Sequence, residues 1–169
     1  MPSVLSFDLH ALTARLDRSA DRILQAEYRL SYRRFLALLT VGELGAATQR
    51  ALAEKLGVSE PSASRMAGVL AETGLLDSQL DPAGGNRRRL TLTVQGKQMV
   101  EGCRELIERR FADLVERSGV SYAGYAHDTT LLMVALDAAQ KPMNREFSPQ
   151  AASTQPISVT SADTLGSSP

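Results

Sequence analysis

The sequence predicts a mainly α-helical fold with a small β-hairpin near its middle, and three observations predict it. Apolar residues recur at three- and four-residue steps through most of residues 1–140, the spacing of amphipathic helices. Two short runs with strand character, "LLDSQL" and "RRLTLT", flank the turn-forming "DPAGGN". Residues 141–169 then shift to Ser, Thr, Pro and Ala with almost no periodicity, so they read as a disordered tail. At 169 residues, 43% apolar and 22% charged, the chain can bury one sizeable core and still carry extensions.

Taken in order, a first helix is expected from about Ser6 to Arg29, with Leu9, Leu12, Leu16, Ile23 and Leu30 in its stripe. Ser31 can cap a second helix, apolar over much of its circumference and ending near Gly42 or Gly45. Thr48 can cap a short third helix, "QRALAEKLG", with Leu52 and Leu56 inward and Gly57 as its stop. Ser59 caps a fourth with Pro61 in its first turn, where a missing N–H is harmless. Met66, Val69 and Leu70 line one side of it, and Gly74 ends it. After Gly96 a long helix runs to about Ser118 on Val100, Cys103, Ile107, Phe111 and Leu114. Ser121 can cap a last one with Tyr125, Leu132, Leu136 and Ala139 on one face, although Gly124 works against it.

Helices three and four, joined by "GVS", make a helix-turn-helix. A hairpin directly after it is the wing of a winged helix. The fold class is therefore mainly α with a small β-hairpin wing: a winged helix-turn-helix at residues 31–97, flanked by helices at 1–30 and 98–140.

Net charge is zero, yet its distribution is uneven. Residues 49–97 carry seven basic and five acidic side chains, and residues 98–139 carry four and seven. Arg87, Arg88 and Arg89 stand side by side after the turn. Strand alternation puts Arg88 on the side of Leu90 and Leu92, and leaves Arg87 and Arg89 free to project. Duplex DNA offers phosphates and a negative minor groove to such a cluster. A solvated tip that resists edge-to-edge pairing fits the same residues. The fourth helix favours DNA, because Ser59, Ser62, Ser64 and Arg65 put short hydroxyls and one guanidinium on its expected solvent side.

The stretches "SYRRFLALLTVGELG", "TQRALAEKLGVSEPSASRMAGVLAETGLL" and "DPAGGNRRRLTLTVQGKQMV" together resemble the MarR (multiple antibiotic resistance regulator) family of winged-helix transcription factors, closely over Ser31 to Val100. The resemblance implies a homodimer entwined through the first and last two helices, bound to a pseudo-palindrome in double-stranded DNA. It implies recognition-helix contacts at Ser62, Ser64 and Arg65, with Ser59 at the helix start. It also implies a repressor role, with release by a small aromatic or phenolic ligand. One departure stands out: where the family's wing carries an Asp and then an Arg two residues on, this chain has Gly84 and Asn86. Arg87 is then expected to take the wing-tip role.

Other functions find less support. A single Cys excludes an intrachain disulfide and a Cys-rich metal site, and Cys103 sits on an apolar stripe beside Glu101 and Glu105. His10 and His127 lack metal-ligand spacing, and no nucleophile elbow or phosphate loop is present, so neither metal, cofactor nor enzymatic activity is expected. Arg33 and Arg34 read as surface charge, with a ligand carboxylate as the sharper alternative. No run is long and apolar enough to cross a membrane and no signal pattern stands out, so the cytoplasm is expected. Two other functions compete: a winged-helix protein-interaction module, and a ligand sensor without strong DNA binding.

Overall fold

The computed structural model describes residues 4–80 and 87–146, with residues 140–146 as helix backbone only. The order is α1 (Leu5–Tyr28), α2 (Tyr32–Leu44), β1 (Ala47–Thr48), α3 (Gln49–Leu56), α4 (Glu60–Glu72), β2 (Leu76–Leu80), β3 (Arg88–Leu92), α5 (Val94–Ser118) and α6 (Tyr122–Glu146). The chain divides after Val120, so α1 to α5 form one compact unit and α6 belongs to a second.

Local chemistry sets most boundaries. Ser31, Thr48 and Ser59 each accept an N–H from the first turn of the helix they precede: Arg34 at 3.3 Å, Ala51 at 3.1 Å and Ser62 at 3.4 Å. Gly57 and Gly74 take positive φ at the ends of α3 and α4, as read from the sequence. Arg29 does the same after α1, at φ 53°. The N–H of Leu30 then donates to Leu24, and the Leu30 side chain is buried as the apolar anchor of that cap rather than as part of the helix.

The core joins α1, α2, α3, α4 and α5 to the sheet. Leu24, Leu38, Val41, Leu52, Leu90 and Cys103 are fully buried in it. The sheet has three antiparallel strands in the order β1-β3-β2, with Ser78 opposite Leu90 and Thr48 opposite Arg89. Two-residue β1 escaped the sequence reading, because nothing in so short a run signals a strand until a partner is found.

Several expectations need correction. Helix α2 passes through Gly42, where an added Cβ would lie 2.9 Å from Leu92, and stops at Gly45. Gly42 thus serves as the seat for β3 and not as a stop. Helix α5 starts at Val94, capped by Thr93, so Gly96 lies inside the first turn. Leu114 is exposed while Val115 and Leu106 are buried, so the inward face of α5 runs beside the expected stripe. Leu114, Phe111, Leu16 and Ile23 instead line an open groove between α1 and α5. Helix α6 runs to Glu146, past the limit set at residue 140, since a change of composition does not mark where helical backbone pairing ends. The rest of the tail, residues 147–169, lies outside the described residues.

Cys103 is fully buried, and desolvation pushes its thiol up to about 11. That environment opposes the thiolate needed for redox sensing. Because the unfolded thiol ionises near its ordinary value, the contribution of Cys103 to stability is fully present at neutral pH and is lost as pH rises from about 9 towards 11. Wild type and Cys103→Ala, compared by urea unfolding at each pH, are expected to converge across that window. A pH-independent difference would contradict the assignment. At Gly96, a Cβ would press into the Leu75 carbonyl. Gly96→Ala is therefore expected to cost about 1–3 kcal/mol, read as a lowered urea midpoint with unchanged slope. An unchanged midpoint would show that the junction yields freely.

Candidate nucleic-acid interface

Helix α4 buries Ala63, Ala67 and Leu70, at steps of four and three, against the core. Small alanines at two of these places let the helix seat close to its neighbours. The opposite face carries Pro61, Arg65, Gly68 and Glu72, all exposed. Ser62 and Ser64 are half-buried on opposite flanks of that face. The four sequence-derived α4 residues are thus not equivalent.

Hydrogen bonds separate them further. The Ser59 hydroxyl donates to Ser62 Oγ at 2.9 Å, and Arg65 Nη2 donates to the same oxygen at 3.4 Å. Ser59, Ser62 and Arg65 therefore run as a ladder along one edge, and Ser64 stands apart from it. Gly68, one turn beyond Arg65, was not singled out from the sequence. A Cβ there would meet nothing within 4 Å, so no packing contact explains the glycine, although Ala is favoured by about 1 kcal/mol in helix interiors. Such a bare place signals itself only once the face is known to be exposed.

At the wing, Arg87, Arg88 and Arg89 are all exposed. Arg88 faces Leu80 and Arg89 faces Gln79 across the hairpin. Arg88 Nη1 reaches back to the Ser78 carbonyl at 3.5 Å, so its head lies against the hairpin. The turn itself, including Gly84 and Asn86, lies outside the described residues. On α3, Arg50 Nε donates to Glu54 at 3.0 Å, which uses part of that exposed cation's charge locally.

Behind α4 lies a cleft of about 630 Å³, lined among others by Asp17, Arg18, Arg33, Val58 and Met66. It joins α1 to the helix-turn-helix. Arg33 lines it, whereas Arg34 lines a separate cavity with Tyr28 and Val69. Asp21 accepts the Tyr32 amide at 2.8 Å, tying α1 to the start of α2. Partial burial, and then the Asp17 carboxylate, raise the Tyr32 phenol above its usual range. Among the described residues no group of three or more His, Cys, Asp and Glu is placed to hold a metal, and no helix is long and apolar enough to cross a membrane.

A family model described as MarR family matches residues 30–88. No curated protein sequence matches the chain. Among solved structures, wild-type MarR from E. coli is 20% identical, with 80% of this chain and 98% of that one covered at a TM-score of 0.70. A mutant MarR from E. coli complexed with operator DNA is 20% identical over 78% and 93% of the chains, at 0.65. MepR, a transcription regulator of the Staphylococcus aureus multidrug efflux pump MepA, is 19% identical over 81% and 99%, at 0.61.

Proposed function

We propose that this chain, whose residues 30–88 form a MarR-family winged helix, is a sequence-specific DNA-binding regulator that acts as a homodimer, most simply as a repressor. The observation that carries the reading is the exposed face of α4, where Arg65 and flanking hydroxyls stand clear of the core beside a wing with three exposed arginines. Short side chains on a helix allow close approach to a major groove, and guanidinium groups neutralise phosphates or enter a minor groove. Ser59, Ser62, Ser64 and Arg65 supply the helix contacts, and Arg87, Arg88 and Arg89 supply the wing contacts.

Dimerisation is supported by apolar surface that one copy leaves uncovered. Phe7 is 73% exposed and Leu132 63%, with Leu5, Leu12, Leu114, Met133 and Leu136 also open to solvent. Apolar residues this numerous on α1, α5 and α6 are costly unless a partner covers them. A two-fold pair would present two α4 helices to half-sites about one DNA turn, roughly 34 Å, apart. In domain terms, residues 1–30 and 98–140 then build the dimer, and 31–97 the DNA-binding part. A protein of this kind works in the cytoplasm, beside its DNA.

The cleft behind α4 is where a releasing ligand would act. Its Leu36, Leu56 and Met66 suit an aromatic ring, and Arg33 suits a carboxylate or phenolate. A ligand wedged between α1 and the helix-turn-helix would change the spacing of the two α4 helices.

The test is fluorescence anisotropy of the full chain on a labelled fragment of its own upstream DNA against a scrambled duplex, across salt. With roughly six to ten phosphates neutralised, the log–log slope is expected at about −5 to −9. Arg87→Ala is expected to reduce that slope by about one unit per subunit. Arg65→Ala is expected to cost about 1–3 kcal/mol on the preferred duplex. Binding that is insensitive to salt and to both substitutions would favour a protein-interaction module instead.

A further inference from the structure

Hydrogen-bond accounting along the edge of α4 narrows what it can read. Ser59 Oγ accepts the Ser62 amide at 3.4 Å and spends its own proton on Ser62 Oγ at 2.9 Å. Ser62 Oγ accepts that proton and a second one from Arg65 Nη2 at 3.4 Å. A hydroxyl oxygen has two acceptor lone pairs and one proton, so both lone pairs of Ser62 are engaged and only its proton is left. Arg65 has donors alone, four of its five N–H groups remaining outside the ladder. Ser59 Oγ keeps one lone pair at the helix start, and beyond it Ser62 and Arg65 present donors alone.

We propose that Ser62 and Arg65 form a donor-only reading pair that selects guanine, with Arg65 taking O6 and N7 and the Ser62 proton taking a neighbouring acceptor, and that Ser62, itself held by Ser59, is the positioning residue for Arg65. The proposal rests on the DNA-binding reading above. Of the major-groove edges, guanine alone offers two acceptors and no donor. Adenine sets an amino donor beside N7, and cytosine presents only its amino donor, so each would face Arg65 with like against like. Thymine's single O4 acceptor suits the Ser62 hydroxyl but cannot satisfy a bidentate guanidinium. The 3.4 Å contact is long for a hydrogen bond, so the ladder biases the Arg65 rotamer toward the helix edge without fixing it. That bias lowers the ordering cost of a flexible side chain on binding.

The experiment uses the full-length protein and the duplex most enriched from a randomised pool, with Kd read by anisotropy. If no duplex is enriched, the DNA-binding reading itself fails. On an enriched duplex, 7-deazaguanine at one guanine per half-site is expected to weaken wild-type binding about tenfold and Arg65→Ala binding hardly at all. Ser62→Ala is expected to lose about fivefold in the wild-type background and nothing further in Arg65→Ala, while Ser62→Thr, which keeps the hydroxyl, restores binding. Independent, multiplying losses from the two substitutions would overturn the positioning role. Losses from Arg65→Ala that are equal on enriched and unrelated duplexes would reduce Arg65 to a phosphate contact and overturn the guanine assignment.

Discussion

The arrangement of α4, the hairpin and the long helix α5 depends on one crowded junction. The Thr93 hydroxyl donates to the Gly74 carbonyl at 2.7 Å and accepts the Gly96 amide at 2.9 Å, while the Thr93 amide donates to the Leu75 carbonyl at 3.2 Å. A single threonine thereby binds the chain just after α4 to the first turn of α5. Gly96 makes this approach available, because any side chain there would meet the Leu75 carbonyl. The hairpin leaves and returns beside that point, with Leu76 paired to Leu92. Helix α4 and the hairpin are thus held by the same few atoms, which fixes their two surfaces relative to each other.

A division of labour in the side chains follows. Core-facing positions of α4 are small or apolar, while its outer face is charged, hydroxylated or bare. On α1, the deeply buried residues Ala20 and Leu24 fall in the second half, and the first half keeps Leu5, Phe7, Leu9 and Leu12 in solvent. Three adjacent arginines stand exposed at the hairpin, and exposed apolar residues run along α1 and α6. These two surfaces, one suited to anions and the other to apolar cover, are the ones the proposed pairing of two copies on DNA would use.

Much of this was legible in the sequence, for reasons of distance along the chain. Caps at Ser31, Thr48 and Ser59 are contacts over three residues, so local rules find them. On α4 the exposure of Arg65 was legible, whereas the buried stripe runs through Ala63, Ala67 and Leu70 and leaves the expected Met66 and Val69 half-buried. What escaped depends on residues far apart. The start of α5 reads from the sequence as Gly96 because its constraint comes from distant Leu75, and Gly42 and Gly45 read alike as stops of α2 because only the distant Leu92 distinguishes them. The tie from Asp21 to Tyr32, the brief β1 strand and the exchange of Leu114 for Val115 have the same origin. The ladder on α4 was half legible: the residue types were evident, but the direction of each proton was not.

The proposed dimer sets two α4 helices on one duplex. Hydroxyl-radical footprinting of the bound upstream fragment, with the protein-to-duplex ratio fixed by sedimentation, tests it most directly. Two protected patches related by a dyad, centred about one helical turn apart and filled by two chains, are expected. One patch filled by a single chain, or uniform protection along the fragment, would contradict it.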